Sequence, residues 1–148
     1  MLRKGFIGIM LIASAGMLSG AETPAPEVTV DEFHGAMSEG SSEKVLDHLA
    51  PDVIIFEGGG AEMSRDEYAH HHLGGDMKYT AATSREIVDR KTVSAGEAAW
   101  VLTRTKTTGQ YRDKEVDRVG TETMLLRRTS EGWKIAHIHW SSRAVRKD

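Results

Sequence analysis

The chain has no cysteine. That excludes disulfides, thiolate metal ligands, a cysteine nucleophile and a lipid-modified N-terminal cysteine. Positive charge is not in excess either: 19 Lys and Arg stand against 22 Asp and Glu, for a net charge of −3. A nucleic-acid partner is disfavoured on that balance. The one long apolar run, Phe6 to Leu18, is short for a membrane span. Acyl transfer is disfavoured as well, because no serine stands in an evident Ser/His/Asp context. The triple glycine Gly58-Gly59-Gly60 lacks the directly following helix and lysine of a phosphate loop, so it reads as a flexible loop at a pocket mouth. No internal repeat is present.

What is there begins with an export signal. Arg3 and Lys4 precede the apolar run, and Ser19-Gly20-Ala21 has small residues where a signal peptidase reads. The expected division is a signal peptide over 1–21, a flexible tail over 22–28, one domain over 29–143 and a C-terminal tail over 144–148. Loss of Arg3 and Lys4 takes the mature charge to about −5. The expected location is periplasmic or secreted, with no membrane attachment after cleavage.

Within the domain, Thr29 with Glu32 reads as a capping box opening a helix through Val30, Phe33, Ala36 and Met37 to Gly40. A second helix, capped by Ser41 or Ser42, carries Val45, Leu46 and Leu49 and stops at Ala50-Pro51. Asp52 to Glu57 reads as a buried strand. Ser64 and Glu67 cap a third helix, which carries His70, His71 and His72 and ends at Gly74-Gly75, with His72 on its apolar face. From Tyr79 on, four β-branched runs (79–93, 98–110, 115–128, 133–143) are separated by short turns, giving an antiparallel meander. Helices first and a twisted sheet second is an α+β arrangement, with the helices covering one face of the sheet.

The last run, Trp133-Lys134-Ile135-Ala136-His137-Ile138-His139-Trp140-Ser141, supplies the candidate site. Alternation puts His137 and His139 on one face with Trp133 and Ile135, and Trp140 on the other. A hairpin pairing Arg128 with Trp133 then sets Glu122 opposite His139 and Met124 opposite His137, with Thr103 beside Glu122. A one-residue slip reverses the face. With His72 or His71 from the third helix and Glu57 from the strand, the patch offers nitrogen and oxygen ligands suited to zinc, copper(II) or iron(II). His72, His137, His139 and Glu122 are the first choices. Glu57, His71, Thr103, Met124 and Trp133 line the same pocket for a small ligand. A Glu122–His139 pair would alternatively serve a proton-transfer enzyme of the isomerase, dehydratase or cyclase type. Against these stand plainer roles: in-facing histidines also fill the base of such a cone, His70 reads as solvated, and His34 and His48 read as surface or satisfied core residues. Trp100 and Trp140 on a flat sheet face would suit a non-catalytic interaction module.

The order helix, helix, Ala-Pro-Asp-Val-Ile-Ile-Phe-Glu strand, Ser-Arg-Asp-Glu-Tyr helix, then strands ending in Gly-Trp-Lys-Ile-Ala-His-Ile-His-Trp-Ser, resembles the nuclear-transport-factor-2-like superfamily, SnoaL-like branch, over about Val28 to Arg143. The resemblance implies a cone-shaped α+β fold, a pocket between sheet and helices, and a homodimer formed through the sheet. It implies no reaction, because the superfamily holds isomerases, cyclases, dehydratases, epoxide hydrolases and binders.

Overall fold

The structure, a computed structural model, describes residues 24–146. The expected signal peptide lies outside the described residues. Among the described residues no helix is long and apolar enough to cross a membrane.

Helix α1 (Pro26–Glu39) starts three residues before Thr29, because proline at its first position has no N–H to satisfy and a φ already suited to a helix. Thr29 is therefore an interior, buried residue and not a cap. Val30, Phe33, Ala36 and Met37 form the buried stripe, and Gly40, in the left-handed conformation at φ 71°, ends the helix. After the short α2 (Ser42–His48), the chain passes directly into β1 (Leu49–Glu57). Pro51 lies inside that strand, where the ladder to β6 is interrupted between Leu49 and Ile54; a proline has no N–H to give it. Gly58 and Gly59 (φ 58° and 86°) turn β1 into β2 (Gly60–Glu62).

The Ser64 side chain caps α3 (Arg65–His71) by accepting the Glu67 N–H, as expected. The Gly74-Gly75 stop is not used. The chain bends at His72 and continues as α4 (Leu73–Ala81), so Tyr79 is helical and the next strand begins later. Four long strands follow: β3 (Thr83–Ala95), β4 (Ala98–Tyr111), β5 (Lys114–Thr129) and β6 (Gly132–Ala144). They form the expected meander, with Arg112 and Asp113 both at positive φ (50° and 61°) in the two-residue turn between β4 and β5. The full sheet has the order β2-β1-β6-β5-β4-β3, antiparallel except where β1 runs parallel to β6. Its inner face packs Val101, Met124, Leu126, Ile135 and Ile138 against Val30, Phe33 and Val45 of the helices, and Tyr68 of α3 is wholly buried in the same core.

One close approach sets where α4 sits over the sheet. Gly109 of β4 lies at φ 149°, and a Cβ there would fall 2.6 Å from the Ala82 carbonyl oxygen and 2.9 Å from the Thr83 Cα, both backbone atoms. Gly109→Ala is expected to lower the unfolding free energy by roughly 1–3 kcal/mol. Gly35, on the exposed side of α1 with open space around it, supplies the contrast; Gly35→Ala should raise stability by about 0.5–1 kcal/mol. Urea unfolding of the two variants checks both signs.

Candidate functional site

The expected site depended on register, and the register changes within β6. Arg128 does pair with Trp133, and Leu126 with Ile135. A bulge at Ala136 then shifts the ladder, so Leu125 pairs with His137, Thr123 with His139 and Glu122 with Trp140. Beyond the bulge the faces are exchanged: Ile138 and Trp140 turn inward, and His137 and His139 turn to the outer face. There both histidine rings meet Phe56 edge-on, at 5.3 and 6.5 Å between centroids, and His137 Nδ1 lies 2.8 Å from the Ile54 carbonyl oxygen.

The proposed ligand set His72, His137, His139 and Glu122 is therefore not assembled. Among the described residues no group of three His, Asp or Glu is arranged to hold a metal. His71 and His72 both turn their Nδ1 atoms to Glu62, at the edge of the fold, and their side chains are largely exposed. His72 terminates α3 and lines a smaller hollow of about 60 Å3 with Glu57, Glu62 and Asp76, away from the cavity floored by Glu122. Thr103 does pair with Glu122 across β4 and β5, but its hydroxyl accepts from Arg90 Nε at 3.3 Å. Met124 is wholly buried in the core; Trp133, 6% exposed, lies under Arg128, whose guanidinium carbon is 4.9 Å from the ring centroid. Glu57 alone of these lining candidates reaches the cavity.

That cavity, of about 140 Å3, opens between α1, α4 and the inner face of the sheet. Its floor is Glu122, 4% exposed, with three donors on its carboxylate: His34 Nε2 at 2.8 Å, Arg85 Nη2 at 3.0 Å and Trp140 Nε1 at 2.8 Å. Burial alone would raise its pKa. The hydrogen bond and charge of His34, the Arg85 guanidinium and the Trp140 N–H outweigh burial and bring it down to about 2. Glu122 is thus an ionised acceptor over the whole ordinary pH range. An acceptor-only partner fixes the proton of His34 on Nε2, so in the neutral ring the lone pair is on Nδ1.

The second wall carries two carboxylates with the opposite tendency. Asp76 of α4 accepts from the buried Tyr68 hydroxyl at 2.9 Å. Its pKa is raised by burial and by the charge of Glu62, although Tyr68 and His72 pull the other way. Glu57, at the end of β1, is raised by burial and by the charge of Asp76, with His72 and Arg118 opposing. Both hold a proton to higher pH than a solvated carboxylate does. The site thus combines an imidazole oriented by an ionised acid and, across a small cavity, carboxyl groups biased toward their protonated form.

His34 is the residue that sequence reasoning passed over, and its signal was available. It lies four residues after Val30 and three before Met37, half-buried at the edge of the buried stripe of α1. Asp76 was hidden by reading Gly74-Gly75 as a helix stop. Arg85 and Arg118 lie on strands among many exposed charges, and nothing in their sequence neighbours marks them.

The SnoaL-like domain family matches residues 27–145. Among solved structures, a protein of Shewanella frigidimarina NCIMB 400, provisionally named a ketosteroid isomerase, is 34% identical over 80% of this chain and 95% of its own, with a TM-score of 0.77. A provisionally named dehydratase of the NTF2-like family from Streptomyces avermitilis is 19% identical over 80% of this chain and 94% of its own, at a TM-score of 0.66. The CaMKII hub of S. rosetta is 17% identical over 84% of this chain and 98% of its own, also at 0.66. The last two likenesses show the fold alone. No curated protein matches the chain.

Proposed function

This chain belongs to the SnoaL-like domain family, and from that premise we propose that it binds a small organic molecule in the cavity and moves a proton on it. The observation that carries this reading is the His34–Glu122 pair on the cavity floor. His34 Nδ1 takes a proton from carbon or from a hydroxyl. Glu122 stays ionised and holds the ring in the tautomer that leaves that atom basic, a positioning role. Asp76 or Glu57, whose pKa values burial raises, gives when protonated a hydrogen bond or a proton to the oxygen on which charge develops. Isomerisation across an enol and elimination of water both use that pair of roles. The 34% identical relative from Shewanella, provisionally named a ketosteroid isomerase, supports the isomerase class.

Export and assembly belong to the same reading. The basic and apolar N-terminal stretch supports export to a periplasm or beyond. Trp100, Leu102 and Phe56 are exposed on the outer face of the sheet, which suits pairing of two copies there. Trp140 has no part in that surface, since it lies on the inner face.

The test is hydrogen exchange on small β,γ-unsaturated ketones such as cyclohex-3-enone in deuterated buffer, followed by NMR. Wild-type protein should incorporate deuterium and form the conjugated isomer. His34→Ala should slow this by about 10²- to 10⁴-fold, the usual worth of a positioned general base. Equal rates in the two proteins, or no exchange above buffer across a panel of such ketones, would sink the proposal.

A further inference from the structure

Resting on that reading of the cavity, we infer that the molecule it takes is a small planar carboxylate, its acid group held by Arg118 and its flat body against Tyr79 and Tyr111. Two arginines line the cavity. Arg85 is committed to Glu122 at 3.0 Å. Arg118 has a different situation: its Nε donates to the Ser142 hydroxyl at 3.0 Å and its Nη2 to the Ser142 carbonyl at 3.1 Å. Among the described residues no carboxylate lies within ion-pair distance of it. Two neutral acceptors on one residue fix the plane of the guanidinium and leave its charge intact.

The geometry of the guanidinium says what is left to bind. Of its five N–H groups, the Nε proton and one on Nη2 are used. Both protons of Nη1 and the second of Nη2 remain, and one from each nitrogen forms the end-on fork that matches the two oxygens of a carboxylate.

Arg118 borders both the inner cavity and an outer hollow of about 460 Å3. Tyr79 and Tyr111 line that hollow with their rings edge to face, 5.4 Å between centroids. Tyr79 also borders the inner cavity, so an aromatic surface runs from one to the other beside the cation. A flat, conjugated ligand can rest on those rings and still reach the floor.

Charge favours a monoanion. Glu57, Glu115 and Asp117 border the outer hollow alongside Arg118 and Lys114, so a dianion would meet more repulsion than those two cations offset. A single carboxylate is matched by the Arg118 fork. The competing ligand class is an amine drawn to Glu57 and Asp76.

Binding to the full chain near neutral pH, followed by calorimetry, decides between them with four probes: benzoate, benzyl alcohol, benzylamine and inorganic phosphate. Benzoate should bind about tenfold or more tightly than benzyl alcohol, which has the same ring and no charge. Arg118→Gln should erase that margin, and Arg118→Lys should restore only part of it, because an ammonium keeps the charge and loses the fork. Benzylamine or phosphate binding more tightly than benzoate overturns the inference in the wild-type protein alone, without reliance on any variant. So does benzoate binding that is the same in Arg118→Gln. The measurement reads occupancy and not turnover. Benzoate binding with no ketone exchange would reject the proton-transfer reading only, and exchange without a benzoate preference would reject this one only.

Discussion

Glu122→Ala is expected to lower the unfolding free energy by about 3–5 kcal/mol near neutral pH, the cost of removing one partner from a buried ion pair and leaving the others unpaired. Removal strands three donors at once: the Arg85 guanidinium, His34 Nε2 and the Trp140 indole N–H, all within 3.0 Å of that carboxylate. The acid dependence supplies a second readout. The folded-state pKa of Glu122 is about 2, against an ordinary 4.5. A depressed carboxylate contributes stability that is full above the unfolded value and is lost as pH falls through the folded one. The wild-type advantage over Glu122→Ala should therefore shrink as pH falls from about 4.5 to about 2, by about 3 kcal/mol in all. Asp76 and Glu57 act with the opposite sign, since a raised carboxylate costs stability as pH rises through its folded pKa. Both are present in wild type and variant, so the difference between the two urea-unfolding profiles isolates Glu122. An advantage that did not shrink in acid would show that Glu122 is not held as an ion.

The elements of this fold are legible where a single local rule decides them. Ser64 caps α3, Gly40 ends α1, and the Arg112-Asp113 turn closes β4 onto β5, each as the sequence indicates. The boundaries missed are those where two rules compete. Pro26 offers an earlier helix start than Thr29, and Gly74-Gly75 permits a stop that the packing of Leu73 and the Tyr68–Asp76 hydrogen bond override.

The site was half legible for a more specific reason. Strict alternation along β6 groups Trp133, Ile135, His137 and His139 on one face. The apolar residues run Trp133, Ile135, Ile138, Trp140, with two residues between the middle pair where alternation allows one. That break in period is the trace of the bulge at Ala136. Reading it would have placed Trp140 beside Glu122 and sent both histidines outward. Glu122 itself was placed on the same face as Met124 and Leu126, as it is, but opposite His139, where the structure sets Trp140. Its partner came from the other side of the molecule, 88 residues earlier in the chain, and strand periodicity carries no information about that distance.

Core and site meet at Phe33, and its loss is the second large effect expected. Phe33 is wholly buried, stacks on Trp140 with ring centroids 6.4 Å apart, and packs edge-on to His34 at 5.3 Å. Phe33→Ala should cost about 3–5 kcal/mol, from lost burial and the cavity left behind; Phe33→Leu, which fills more of the space, should cost less. The effect extends beyond stability, because Phe33 supports two of the three side chains that hold Glu122. A double-mutant cycle of Phe33→Ala with Glu122→Ala, read by urea unfolding, should therefore show a coupling of about 0.5–3 kcal/mol in place of simple addition. Once Trp140 has lost the ring beneath it, its hydrogen bond to Glu122 no longer has a fixed geometry to lose. Strict additivity would mean that the carboxylate network stands independently of the core. The tautomer of His34 would then be set by Glu122 and Arg85 alone, without the aromatic stack beneath them.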